Sequence, residues 1–189
     1  MIAAVSTAVW VCLVAWGMNF LWRYAYTPGQ VAAPPPNWLS ATPLKIAKRP
    51  LLLMFAHPYC PCSRASIGEL AIVMAHANEQ LDSYVYFYLP ANQSSDWART
   101  ELWRNAESIP GVHAIEDRAG DFAKLAGVFT SGQTLLYGLD GQLVFNGGIT
   151  QARGHSGDNY GRRRIISFLQ GEVSDRNTSP VFGCSLRGL

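Results

Sequence analysis

Cys60-Pro61-Cys62 stands where a short apolar run, Leu51 to Ala56, gives way to a long stretch with helical spacing. A cysteine at the junction of a strand and a helix meets unpaired backbone N–H groups and the positive end of the helix dipole. Both favour the thiolate, the form that attacks disulfides and binds soft metals. Pro61 at the first helical position costs nothing, because that N–H has no intrahelical partner. The pattern points to redox or metal-handling thiol chemistry, with Cys60 as the nucleophile. A buried, inert core cysteine is the competing reading, and two cysteines around a proline at a helix start argue against it. A Cys-x-Cys disulfide closes a small ring and departs from relaxed bridge geometry, so it is easily reduced. Either the pair is an oxidising dithiol, or Cys62 is not the main partner of Cys60.

Two further residues bear on this chemistry. Cys184 ends the segment Ser179-Pro-Val-Phe-Gly-Cys184, whose Val181 and Phe182 are apolar enough to dock a tail. Folded back toward Cys60, Cys184 would be a resolving thiol; otherwise it is an exposed tail cysteine without a role. His57, three residues before Cys60, is placed to stabilise the thiolate or to ligate a metal; as a lone histidine it is equally read as a packed loop residue. Thiol–disulfide exchange needs no cofactor. The alternative is a copper or zinc binding and delivery protein using Cys60, Cys62, Cys184 and His57, a soft donor set suited to those ions. His155, in Arg153-Gly-His-Ser-Gly157, is a weaker candidate, and His76 and His113 are incidental. The glycines from Gly147 to Gly161 are too irregular for a phosphate loop.

The elements that must hold these residues are legible in the pattern. Leu51–Ala56 is continuously apolar, as a buried central strand is. Ile67, Leu70, Ala71, Met74, Ala77 and Leu81 recur every three or four residues and form one helix face. Tyr84–Leu89 is a second strand, ended by Pro90. Trp97–Ser108 reads as a helix, Val112–Ile115 as a short strand and Asp121–Ala126 as a short helix. Thr134–Tyr137 and Leu143–Phe145 flank Asp140-Gly141, a strong hairpin signal. Gly161–Leu169 closes as a helix, with Arg162-Arg163-Arg164 on a solvated face. Crossover units, then a hairpin and a covering helix, make an α/β sandwich.

The 189 residues leave room for one domain plus an attachment, and the net charge of +2 lacks the basic stripe that nucleic-acid binding requires. Residues 2–22 carry no charge and are long enough to cross a bilayer as a helix. Trp22, Tyr24 and Tyr26 follow, as aromatics do at a membrane interface. No basic segment precedes the span and no small-x-small site follows closely, so a retained anchor is expected rather than a cleaved signal. Cys12 lies inside it as a small apolar filler. The chain divides into a transmembrane anchor (1–24), a Pro-rich linker (25–42) that spaces the domain from the membrane, a domain (43–170) and a tail (171–189) with Cys184. Arg23, Lys45, Lys48 and Arg49 follow the span, which weakly favours a cytoplasmic domain. Disulfide chemistry favours an oxidising compartment, and the expected location is the bacterial inner membrane, single-pass, with the domain in the periplasm.

With these residues in place, the chain resembles the thioredoxin-like superfamily over roughly residues 43–170. The resemblance rests on Phe55-Ala-His-Pro-Tyr-Cys-Pro-Cys-Ser63 and on Thr134-Leu-Leu-Tyr-Gly-Leu-Asp-Gly-Gln-Leu-Val-Phe145. More narrowly it is similar to membrane-anchored RedB-type thioredoxin-like proteins, in His57–Ser63, Gly147–His155 and Ser179–Cys184. The resemblance implies a central mixed sheet flanked by helices, preceded here by one N-terminal transmembrane helix. It also implies protein thiols and disulfides as partners. Two departures stand out. Ser63 fills the place of the usual second cysteine, and Gln133 occupies the place of the proline that precedes the hairpin. A peroxiredoxin-like peroxidase is a third reading, although His57 stands where such enzymes carry Thr or Ser.

Overall fold

A computed structural model of the chain describes residues 2–31, 33–38 and 48–186. The elements in order are α1 (Ile2–Tyr26), β1 (Leu51–Ala56), α2 (Cys62–Ala77), β2 (Asp82–Leu89), α3 (Ser95–Ala98), α4 (Glu101–Glu107), β3 (Val112–Arg118), α5 (Asp121–Leu125), β4 (Gln133–Tyr137), β5 (Leu143–Gly148) and α6 (Tyr160–Leu169). The five strands lie in the order β3-β2-β1-β4-β5. β1 pairs parallel with β2 and β2 with β3, whereas β4 is antiparallel to both β1 and β5. The sheet is therefore mixed.

β1 is the central strand, and every residue in it is buried. Successive side chains of a strand point to opposite faces, so its unbroken apolar run feeds two cores. Leu52, Met54 and Ala56 join a layer with Ile67, Leu70 and Val73 of α2, Leu102 and Trp103 of α4, and Ile165 of α6. Leu51, Leu53 and Phe55 join a second layer with Ala123 of α5, Trp38 and Leu186.

Trp38 corrects the reading of residues 25–42 as a spacer. It is fully buried, packing 5.4 Å from the ring of Phe122 and 5.2 Å from that of Tyr137. Its backbone N–H donates to Gly141 (2.9 Å), Tyr137 Oη donates to the Pro35 carbonyl (3.1 Å), and Leu143 N–H donates to Pro36 (2.9 Å). Prolines donate nothing, yet their fixed extended backbone still offers carbonyls to a sheet edge. Residues 35–38 close the second core instead of holding the domain away. Pro43, the expected start of the domain, and Lys45 lie outside the described residues.

Three other expectations change. The helix over Trp97–Ser108 is split into α3 and α4 by Thr100, whose backbone is extended (ψ −176°) and whose hydroxyl donates to the Pro58 carbonyl (3.1 Å). That bond ties the break to the loop ahead of Cys60. The short strand at Val112 runs on to Arg118, fully paired with β2. The triple arginine of α6 is not one solvated face. Arg162 Nη1 bonds the fully buried Glu69 carboxylate, and Arg164 is buried and donates to Asn177 Oδ1 (3.1 Å). Arg163 alone turns outward, toward Asp158.

α1 is long and apolar enough to cross a membrane. At 1.5 Å per residue its length is about 37 Å, more than the ~30 Å hydrocarbon core. Its large side chains are uncovered, Trp10 and Trp16 being 65% and 74% exposed.

Candidate functional site

Cys60 sits in the turn between β1 and α2, fully buried. Its N–H donates to the His57 carbonyl and its carbonyl accepts from Ser63, each at 3.0 Å. Pro61 is the cap residue of α2, with φ −62° and ψ −27° and no side-chain cap. The helix start leaves its first N–H groups directed at the thiol turn.

The tail brings the third thiol to this turn. Residues 177–181 run beside β5, with Asn146 N–H donating to Asn177 (2.9 Å) and Gly148 N–H to Pro180 (3.2 Å). A Cβ on Gly148 would meet the Pro180 carbonyl at 2.6 Å, and one on Gly183 would meet the Ser131 carbonyl at 1.8 Å. Glycine at both positions is what lets the tail lie flat on the domain. Val181 is fully buried, Phe182 half-buried, and Ser131 N–H donates to the Cys184 carbonyl (2.8 Å).

Cys184 Sγ consequently lies 2.8 Å from Cys60 Sγ, across 124 residues of chain. The sulfurs of Cys60, Cys62 and Cys184 all lie within 4.8 Å of one another. The thiol of Cys60 is pulled down to about 4, chiefly by a hydrogen bond from Cys62 and with further bonds from Cys184 and Ser63, which together outweigh its burial. The cost falls on the donors. Cys62 is pushed strongly up by its bond to Cys60 and by burial, and Cys184 rises to about 11 through burial and its bond to Cys60. The cluster thus holds one anion and two protons, with the charge on Cys60.

His57 does not join the three sulfurs. It is buried, its Nδ1 accepts from Tyr59 N–H (3.2 Å), and its ring stacks on Tyr88 at 5.8 Å and meets Trp97 edge-on at 5.6 Å. Burial lowers its pKa, the Cys60 charge opposing only in part. A neutral imidazole supports the thiolate by no charge of its own, and the proposed four-ligand set contracts to three thiols. Ser131 was not singled out by the sequence. Its hydroxyl lies 2.6 Å from that of Ser63 and accepts from His57 N–H (2.8 Å), so it, not Gln133, is what ties this loop to the residues flanking the cysteine turn. Gln133 is buried and turns its Nε2 to Asn146 Oδ1 (2.8 Å), and there is no cis peptide bond among the described residues. No short motif signals Ser131; only its place ahead of β4 does. His155 is exposed, and His76 and His113 lie on α2 and β3, outside the cluster.

A central β1 flanked by parallel β2 and antiparallel β4, with cysteines between β1 and α2, defines a thioredoxin-like fold. No family model and no curated protein matches the chain. Among solved structures it is similar to an uncharacterized conserved protein from Geobacillus kaustophilus, with a TM-score of 0.60 at 16% identity over 87% of this chain and 93% of that one. It is also similar to the hypothetical protein SMc02350 from Sinorhizobium meliloti 1021, with a TM-score of 0.56 at 22% identity over 85% and 94% of the two chains. A secreted Mycobacterium tuberculosis disulfide oxidoreductase gives a TM-score of 0.47 at 16% identity over 79% and 98%.

Proposed function

We propose that the protein is a membrane-anchored thiol–disulfide oxidoreductase in which Cys60 and Cys184 are the exchanging pair. Its place is the bacterial inner membrane, with α1 in the bilayer and the domain in the periplasm, and its partners are protein thiols and disulfides. The observation that carries the reading is the 2.8 Å approach of the two sulfurs; closing to a disulfide takes a movement under about 1 Å. Cys62 then acts as a third thiol that donates to the Cys60 anion. In the forward direction the Cys60 thiolate attacks a partner disulfide. A bond forms from Cys60 to one partner sulfur, and the other leaves as a thiolate. Cys184, giving up its proton, attacks Cys60 and expels the partner's second thiolate. The partner has gained two electrons and the protein holds a Cys60–Cys184 bond; the reverse sequence oxidises a partner dithiol.

The test is covalent trapping. Cys184→Ser should accumulate a mixed disulfide on Cys60, visible on non-reducing gels, whereas Cys62→Ser should not, and Cys60→Ser should abolish exchange. Trapping by Cys62→Ser but not by Cys184→Ser would overturn the pairing.

One observation favours a second reading, the three convergent sulfurs. Three thiolates suit copper(I) better than zinc, which in structural sites takes four ligands. Copper retained through dialysis by the wild type, lost with any one of the three cysteines and accompanied by no exchange activity, would favour delivery of that ion.

A further inference from the structure

The chain leaving α1 does not swing free of the domain. Arg153 N–H donates to the Ala25 carbonyl (3.0 Å), Gly29 N–H to Val181 (2.8 Å) and Thr130 Oγ1 to the Gln30 carbonyl (2.8 Å). A Cβ on Gly29 would meet the Thr130 side chain at 2.5 Å, so the two segments are in close contact. Between them opens a cavity of about 560 Å³, walled by Tyr24 and Gln30 from the anchor and by Phe129, Thr130, Arg153 and Cys184 from the domain. Its level in the membrane follows from α1. The uncharged residues 2–22 rise about 31 Å as a helix, which matches the ~30 Å hydrocarbon core and puts Tyr24 in the headgroup layer. The Arg153 guanidinium lies there 5.2 Å from the centroid of the Tyr24 ring and donates to the carbonyls of Thr27 (3.3 Å) and Gly183. Among the described residues no carboxylate lies within ion-pair distance of it. Each of its terminal nitrogens spends one N–H on a carbonyl and has a second to give.

We propose that this cavity is a phospholipid-headgroup site, in which Arg153 pairs with the phosphate of an anionic lipid and Tyr24 and Phe129 lie against its glycerol end. The inference rests on α1 lying in the bilayer, and not on the exchange chemistry. A guanidinium presents paired N–H donors that match two phosphate oxygens, and a partly buried pair is screened less by salt than one in open solvent. A basic pocket beside a membrane helix is the arrangement that retains such headgroups. A lipid is favoured over a free anion because one wall of the cavity is the last turn of the membrane helix itself. Bound there, the lipid holds the face that carries Cys184 against the membrane surface.

The test uses the full-length protein in mild detergent, titrated with phosphatidylglycerol and read by native mass spectrometry as the fraction carrying one lipid. Arg153→Gln should weaken that binding roughly tenfold. Gln30→Glu should weaken it by about as much, because it sets a negative charge in the same cavity and leaves the bonds that hold Arg153 in place. Arg23→Gln removes a cation from the same turn of α1 but outside the cavity, and should stay within about threefold of wild type. If Arg153 merely pins the tail, Gln30→Glu binds as wild type does; if any interfacial cation suffices, Arg23→Gln falls as far as Arg153→Gln. Either result overturns the proposal. So does displacement of the lipid by millimolar glycerol phosphate, which would mark a site for soluble anions. Alkaline extraction of the source membranes reads the insertion of α1 separately. Protein released to the supernatant removes the anchor and the site with it, whereas retained protein without specific lipid binding overturns the site alone.

Discussion

Cys62→Ala removes the leading support of the Cys60 thiolate, and its effect can be worked out in advance. The wild-type Cys60 gives up its proton at about 4. At pH 5 it is therefore about 90% thiolate, whereas a free cysteine of pKa ~8.5 is about 0.03% thiolate, a ratio near 3,000. The lower basicity costs about 100-fold in intrinsic nucleophilicity at a Brønsted slope near 0.45, leaving an accessible thiol of this pKa about 30-fold faster than free cysteine. For such a thiol the two effects cancel near pH ~6.5; burial of Cys60 lowers its rate at every pH and moves that crossing down, without moving the midpoint. A hydrogen bond to a charged group contributes about 1.5–3 kcal/mol, so Cys62→Ala should raise the Cys60 midpoint by about 1–2 pH units. The sign follows from the donor: without it the anion is less favoured, and Cys60 keeps its proton to higher pH. Iodoacetamide labelling between pH 4 and 9, with Cys60 resolved by mass, measures both the midpoint and the crossing. An unchanged midpoint in Cys62→Ala would refute the assignment of Cys62 as donor.

Other consequences are independent of that assay. Between about 4, where Cys60 ionises, and about 11, where Cys184 does, the reduced pair carries one proton for two electrons; the reduction potential should fall by about 30 mV per pH unit, not about 59, in redox titrations from pH 5 to 8. Glu69 is fully buried and accepts from Gly157 N–H (2.6 Å), Asn159 Nδ2 (3.1 Å) and Arg162. Glu69→Ala should lower stability by about 3 kcal/mol in urea titration, with the loop bearing Arg153 loosened. Trp38→Ala should cost about 3–5 kcal/mol by the same measurement, a loss that a mere spacer residue would not show.

Much of this arrangement is legible in the chain because local signals and burial agree. The run Leu51–Ala56, the spacing from Ile67 to Leu81 and the Asp140-Gly141 turn each specify an element by themselves, and β1, α2 and the β4–β5 hairpin lie where those signals put them, except that α2 ends at Ala77 and leaves Leu81 in the turn before β2. The cysteine turn is readable for the same reason. What escapes local reading depends on partners distant in sequence. Arg162 and Arg164 look like a solvated face until Glu69 and Asn177 are brought to them. Trp38 looks like part of a linker because the hairpin that covers it lies about a hundred residues on. His57 looks like a thiolate partner by spacing, but its ring is committed to Tyr88 and Trp97. The choice between Cys62 and Cys184 belongs to the same class. Spacing keeps both in play, and only the course of the tail along β5, allowed by Gly148 and Gly183, brings Cys184 against Cys60.

The central claim is the pairing of Cys60 with Cys184, and the most direct measurement is disulfide mapping of the full-length protein. Free thiols would be blocked in intact membranes before extraction, and the peptides separated without reduction and identified by mass. The account predicts a peptide linking Cys60 to Cys184, with Cys62 carrying the blocking group. A bond between Cys60 and Cys62, or all three thiols blocked and none oxidised after exposure to a disulfide partner, would contradict it.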